Sequence, residues 1–321
     1  GYHIVPITDI PKTAVLNCGE SGSTLRFLLP IVGALGVDGT FRMEGRLPQR
    51  PLSPLWEEME RKGCQLSHPT ENTLRCQGKL RSGNYRIRGD VSSQFITGLL
   101  FALPLIDGET SLEVVGKLES RPYVEITKAA IRLFSYPHSP SPGTVTVEGD
   151  WSNGAFFLAA QALGNDISVT NLNPNSPQGD RAAAYWLREL EHNCTISAAD
   201  IPDLVPILAV VASANQGAVF TDIRRLRLKE SDRVATVMEM IENLGGKAEA
   251  TENSLTVFGT GLTGGTVNSH NDHRIAMAAA IASTVCSVPV TVIGAESVNK
   301  SYPRFWEEYI RLGGNYELYL R

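Results

Sequence analysis

At 321 residues, with 42% hydrophobic and 20% charged side chains, the chain has room for two globular domains and is neither disordered nor fibrous. Its net charge of −5 excludes nucleic-acid or membrane-surface binding through bulk charge, so any anion must be met by a local group of cations. Five scattered cysteines without a C-x-x-C pair predict reduced thiols, no disulfide frame and no metal site. With no membrane-spanning apolar run and no visible signal peptide, the expectation is a cytoplasmic protein.

Taken in order, the chain reads as copies of one unit. The first has a strand (Ala14–Leu16), a polar turn (Gly19–Thr24) and an apolar helix (Leu25–Leu35). A strand (Thr40–Met43), Arg50-Pro51, an amphipathic helix (Leu52–Arg61) stopped by Gly63 and two short strands complete it. The second starts at Tyr85–Ile87, turns at Asp90–Gln94, continues in a helix (Phe95–Leu105) and reaches its second helix after Ser120-Arg121-Pro122-Tyr123. The third opens with a strand at Thr144–Val147, turns at Gly149–Asn153, and has its second helix after Gly179-Asp180-Arg181. The fourth turns at Ile201-Pro202-Asp203, and its second helix follows Lys229–Arg233. The last turns at Asn271–Arg274 and has Lys300-Ser301-Tyr302-Pro303 before the final helix.

A polar turn precedes each first helix and a cation each second one. Ser23 to Arg50, Gln94 to Arg121, Asn153 to Arg181, Asp203 to Lys229 and His273 to Lys300 are all 26–28 residues apart. Five repeated βαβαββ units predict an α/β fold of small mixed sheets, with the apolar first helices buried and the amphipathic second helices outside. The Ser- and Pro-rich stretch Ser135–Gly143 marks a linker, giving domains 1–143 (two units) and 144–321 (three units). Two symmetric domains want an even count, and the chain opens on Gly1, so a sixth unit is expected upstream.

The densest chemistry lies in Leu226-Arg227-Leu228-Lys229-Glu230-Ser231-Asp232-Arg233, just before an apolar-periodic helix. At the start of that helix Lys229 and Arg233 (i, i+4) are expected to share a face, and cations at a helix N-terminus make an anion site with Glu230 in its midst. The plainer reading is a solvated charged turn. Recurrence of the arrangement along the chain favours the anion site.

With these residues assembled, the chain resembles the 5-enolpyruvylshikimate-3-phosphate (EPSP) synthase family. The matching segments are Gly22-Ser23-Thr24-Leu25-Arg26, Arg50-Pro51, Ser92-Ser93-Gln94, Ser120-Arg121-Pro122-Tyr123 and Val147-Glu148-Gly149-Asp150, then Ile201-Pro202-Asp203, Arg227–Arg233 and Asp272-His273-Arg274-Ile275-Ala276-Met277. The resemblance implies a two-domain inside-out α/β barrel closing around its substrates. The implied reaction is enolpyruvyl transfer from phosphoenolpyruvate to the 5-hydroxyl of shikimate 3-phosphate, by a monomer without cofactor or metal. It places Gly22, Arg50, Arg233, Arg274 and Lys300 on phosphoenolpyruvate, and Ser92, Ser93, Gln94, Ser120, Tyr123 and Lys229 on shikimate 3-phosphate. Asp203 is implied as the base for the hydroxyl, Glu230 as the acid at the methylene carbon, and His273 as a hydrogen-bonding group at phosphoenolpyruvate or phosphate. Glu20-Ser21 stand where many members have Asn-Ala, and Arg225 where some have asparagine. The Gly-Ser-Lys-Ser segment with which the family opens has no counterpart here, which leads us to expect turnover below that of a longer member.

Two other readings compete: a fragment that only binds phosphoenolpyruvate or phosphate weakly, and an anion-binding module of unrelated purpose. Residue by residue, Asp203, Asp150 and Asp272 also read as helix caps, His273 as a cap or solvated residue, and Arg26 and Arg121 as structural ion-pair partners.

Overall fold

Ser21 opens the first helix of the chain. In a computed structural model describing residues 5, 7–134 and 144–319, its hydroxyl accepts the amide of Thr24 at 3.1 Å, and α1 (Gly22–Leu35) runs to a left-handed Gly36. The helix thus absorbs Gly22-Ser23-Thr24, expected in the turn. On either side, β1 (Thr13–Gly19) and β2 (Asp38–Met43) pair in parallel, Thr13 opposite Asp38. Helix α2 (Leu55–Arg61) starts three residues later than expected, after a Pro54 cap, because Pro54 disfavours helix in the residue before it. The hairpin β3 (Cys64–Thr70) and β4 (Thr73–Gly78) completes a sheet of order β1-β2-β4-β3.

The second copy pairs β5 (Gly83–Arg88) with β6 (Thr110–Val115) in parallel around α3 (Ser93–Ala102). Pro104 turns the last expected turn of α3 into a 3-10 segment, Leu103–Leu105. Helix α4 (Arg121–Leu133) lies against α3, where the hydroxyls of Thr97 and Thr127 meet at 2.8 Å. The stretch Ser135–Gly143 lies outside the described residues. The chain divides into two units, Gly1–Val145 and Thr146–Arg321.

The strand expected at Thr144–Val147 does not form a ladder with any described segment. Val147 is 91% exposed, so the apolar alternation buries nothing there. The chain is fastened instead by side chains. The Glu148 carboxylate accepts from Asn173 Nδ2 at 2.9 Å, Gln178 Nε2 at 3.0 Å and the Ser176 hydroxyl, while the Gly149 amide donates to the Asn171 carbonyl. Helix α5 (Trp151–Ala162) follows under an Asp150 cap, and a 3-10 turn, Gly179–Ala182, leads into α6 (Ala183–Glu189).

The fourth copy repeats the first in its connectivity. β7 (Cys194–Ser197), α7 (Val205–Ala214) and β8 (Gly217–Thr221) form a parallel crossover, and α8 (Arg233–Asn243) precedes the hairpin β9 (Lys247–Ala250) and β10 (Ser254–Phe258). The sheet order is β7-β8-β10-β9, that of the first copy, with the same parallel and antiparallel pairings. Likewise β11 (Gly265–Asn268) and β12 (Val290–Ile293) pair in parallel around α9 (His273–Ala282), as β5 and β6 do around α3, and α10 (Phe305–Arg311) ends the fold.

The first helices are buried and the sheets half exposed, the inside-out order that their composition predicts. Every residue of α9, and all of α7 except Ala214, is buried, and α5, α7 and α9 pack on one another. In the other unit α1 packs on α3 at Gly98. Among the described residues no helix is long and apolar enough to cross a membrane, and the five cysteines are free thiols.

A Cβ on Gly98 would fall 2.1 Å from the Arg26 carbonyl oxygen, a backbone atom with no room to yield. Gly98→Ala is therefore expected to force the two helices apart at a cost of about 1–3 kcal/mol. Urea unfolding of the pair of proteins checks this: the midpoint falls at unchanged m-value, and an unaltered midpoint refutes the close crossing.

Candidate active site

Arg233 is fully buried, and three carboxylates surround it. Its Nη1 donates to Asp203 Oδ1 at 2.7 Å, its Nη2 to Glu230 Oε2 at 2.8 Å and its Nε to Asp272 Oδ2 at 3.1 Å. It is the first residue of α8, whose cap is Asp232, accepting the Ala235 amide at 3.2 Å. The expectation that Lys229 shares a helical face with Arg233 is thus wrong: Lys229 is extended and precedes the cap, after a 3-10 turn at Arg224–Leu228. An aspartate three residues before Ala235 stops the helix there, and the carboxylate outcompetes another helical turn for the free amide. The two cations still converge, since Lys229 Nζ reaches Asp203 Oδ1 at 3.3 Å.

Asp203 comes from the turn before α7 and collects a third cation, Arg274 Nη2 at 3.0 Å, from the first turn of α9. Asp272 caps α9 through the Arg274 amide at 3.0 Å and also accepts the Ser231 hydroxyl at 3.0 Å, so its cap role and its ion pair coexist. Lys300, exposed, donates to the Asn271 carbonyl at 2.7 Å beside the same helix start. The first turns of α7, α8 and α9 therefore meet at one cluster, where their free amides and dipoles favour anions.

The environment sets the protonation states. Burial pushes the Asp203 carboxyl up, but Arg274, Lys229 and Arg233 outweigh it and hold the group well below the usual carboxylate range. Burial works against the Arg233 charge too, and Asp272, Asp203 and Glu230 more than restore it. For Lys229, burial prevails and draws its ammonium below the ordinary lysine value despite Asp203. His273, buried and next to Arg274, is pulled down to about 4, so its imidazole is neutral at neutral pH. Its Nδ1 has no hydrogen-bond partner among the described residues.

The other unit holds a second group of the expected residues. Arg26, 3% exposed, lies 5.5 Å from the centre of the Phe95 ring and donates to Gln94 Oε1 and the Pro51 carbonyl, each at 3.1 Å. Gln94 Nε2 in turn donates to Ser23 Oγ at 3.0 Å. Gly22 sits against the two arginines: a Cβ there would come 2.4 Å from Arg26 Nη1 and 2.8 Å from Arg50 Nη1. Ser92 caps α3 through the Gln94 amide, and Ser93 is buried as its first residue. Ser120 is buried in a left-handed conformation (φ 53°) and accepts the Tyr123 amide at the start of α4.

Three positions were underrated from sequence. Arg26, set aside as structural, joins Gln94 to the backbone following Arg50; its place one turn beyond Gly22 and Ser23 was the available signal. Asp272 serves Arg233 as well as the helix cap. In the third copy the spacing pointed to Arg181, yet Arg181 is exposed and bonds the Pro174 carbonyl while Asp180 is 4% exposed.

The family model for EPSP synthase (3-phosphoshikimate 1-carboxyvinyltransferase) matches residues 5–309. The chain belongs to the EPSP synthase family. It is 40% identical to the 3-phosphoshikimate 1-carboxyvinyltransferase of Clostridium kluyveri over 94% of this chain and 79% of that one. The enzyme of the same name in Clostridium acetobutylicum is 37% identical over 94% of this chain and 78% of its own. A solved EPSP synthase of Acinetobacter baumannii superposes with a TM-score of 0.71 over 94% of this chain and 79% of that one at 23% identity, a likeness of fold. As an EPSP synthase family member the protein is a transferase.

His273 gives this EPSP synthase family site a measurable signature. A folded-state value near 4 against 6.5 for the free side chain means that the native protein binds fewer protons than the unfolded chain between those pH values. Stability therefore rises with pH across that window, the penalty of about 3 kcal/mol being fully present only below pH 4. In His273→Gln that dependence disappears, so parent minus variant stability should climb from pH 4 to 6.5 in urea titrations; a pH-independent difference would mean that the imidazole is not buried neutral.

Proposed function

We propose that the protein transfers the enolpyruvyl group of phosphoenolpyruvate to the 5-hydroxyl of shikimate 3-phosphate, releasing phosphate. The hydroxyl oxygen bonds to C2 of phosphoenolpyruvate while C3 gains a proton, giving a tetrahedral adduct. Loss of phosphate with removal of a C3 proton then leaves the enol ether. Both substrates carry a phosphate and a carboxylate, which suits arginine-rich clusters in a protein of net charge −5.

The observation that carries this reading is the sharing of Asp203 by Lys229, Arg233 and Arg274 while Glu230 holds the far side of the same guanidinium. A carboxylate held by three cations is a poor base. When substrate phosphate and carboxylate draw Lys229 and Arg274 toward themselves, Asp203 regains proton affinity and takes the hydroxyl proton. Glu230 exchanges the proton at C3. Neutral His273 offers one N–H to a phosphate or carboxylate oxygen, and Lys300 adds charge. In the other unit Arg50, beside Gly22, is assigned to phosphoenolpyruvate, and Ser92, Ser93, Gln94, Ser120 and Tyr123 to shikimate 3-phosphate.

These side chains provide the charge and proton transfer that the reaction calls for without a metal or cofactor, and we read the protein as a cytoplasmic monomer, in keeping with its free thiols. The fragment reading is disfavoured, because relatives bearing the transferase's name match 94% of this chain.

Phosphate release that requires both substrates is the expected activity. Asp203→Asn and Glu230→Gln should each lower kcat by about 10²–10⁴-fold, followed by phosphate detection under saturating substrates. Parental rates in both variants would dismiss the assignment of these two acids.

A further inference from the structure

Ser231 and Thr236, at the start of α8, are both buried, and their hydroxyl oxygens lie 3.1 Å apart. With Asp232 as the cap, Ser231 is the residue before the cap and Thr236 the fourth residue of the helix. Those two positions commonly meet as an apolar staple that fixes the entry of the chain. A pair of hydroxyls there gives up apolar contact and leaves two buried O–H groups in need of partners. The partner of the first lies on another helix. The Ser231 hydroxyl donates to Asp272 Oδ2 at 3.0 Å, the oxygen that also accepts Arg233 Nε at 3.1 Å. Since the single proton of Ser231 is used there, the bond between the hydroxyls takes its proton from Thr236.

Asp272 is therefore held by both of its oxygens. Oδ1 accepts the Arg274 amide at 3.0 Å as the cap of α9, and Oδ2 accepts the Ser231 hydroxyl, so the carboxylate is kept from turning and Arg233 meets it in one orientation. The guanidinium in turn sets the spacing of Asp203 on Nη1 and Glu230 on Nη2, the acids assigned to the two proton transfers. Lys229 and Arg274 can swing toward a substrate anion, whereas Arg233 has to stay if that spacing is to survive. We infer that Ser231 is a positioning residue: by fixing Asp272 it holds Arg233, and through Arg233 both acids, in the arrangement that proton transfer needs. Ser231 acts on Oδ2 and the α9 cap runs through Oδ1, so its loss disturbs the two acids more than the anion-binding side chains of Lys229 and Arg274. The inference rests on Asp203 and Glu230 being the acids of the enolpyruvyl transfer.

Ser231→Ala should lower kcat about tenfold, the order of one hydrogen bond to a charged group, and leave KM for both substrates within about twofold. Ser231→Thr, which restores the hydroxyl, should recover the parental kcat. Ser231→Ala combined with Thr236→Val builds an apolar staple in place of the hydroxyl pair and should stay as slow as Ser231→Ala. A double variant with the parental kcat would mean that the pair only braces the helix start, and would overturn the inference. So would a parental kcat in Ser231→Ala, a rise in KM without a fall in kcat, or a Ser231→Thr as slow as Ser231→Ala. Where Ser231→Ala does not fold, Ser231→Cys, of the same shape but with a weak donor, takes its place with the same direction of change. A nitrogen-15 NMR spectrum reads the contact without substrate: the Arg233 Nε–H signal should move in Ser231→Ala and return in Ser231→Thr, and an unmoved signal overturns the inference. A parent that releases no phosphate from the two substrates rejects the enolpyruvyl reading alone, and the Arg233 signal then decides whether Ser231 sets the guanidinium.

Discussion

Everything in the second unit's polar end depends on one guanidinium without solvent. Arg233 has no water to shield its charge, and a lone ion in that position would cost several kcal/mol. Asp203, Glu230 and Asp272 supply the compensation, each to a different nitrogen or pair of nitrogens, so the planar fork fixes the three acids relative to one another. Lysine could not replace it, since a single ammonium on a flexible stem cannot hold three carboxylates at defined spacings. Removing the cation would strand acids that are tolerable only because it is there.

From that constraint the rest follows in layers. The three acids come from the turn before α7, the stretch before α8 and the cap of α9, so the helix starts must meet at one place. The buried packing of α5, α7 and α9 brings them there. The cluster is thereby seated on the buried helices of the unit, yet its members are exchangeable partners, and an incoming phosphate or carboxylate competes for the same donors. Stability and recognition draw on the same charges.

Much of this was legible in the residues. The regular spacing of polar turn and cation foretold matching units, and the shared strand order of the first and fourth copies bears that out down to the hairpin. The apolar makeup of the first helices foretold their burial, and the Lys-Glu-Ser-Asp-Arg stretch the gathering of charges around it. What escaped is what periodicity cannot carry. Helix phase at Lys229 hinged on whether Asp232 capped or continued the helix, and a cap depends on one side-chain hydrogen bond. The strand at Thr144–Val147 had the right alternation, but alternation stabilises a strand only where one face is covered, and Val147 is open. Arg181 and Asp180 are adjacent in sequence, and only the path of the loop clasped by Glu148 decides which of them turns inward.

Arg26 has a consequence of a different kind. Its rigid fork grips the Gln94 amide on one side and the Pro51 carbonyl on the other, and the same buried guanidinium lies over the Phe95 ring, which leaves it little slack. The spacing between the neighbours of those two groups, Ser93 on one side and Arg50 on the other, is therefore settled when the chain folds. A ligand meeting them encounters a template already set, and little orientational freedom of the protein has to be surrendered at the moment of encounter.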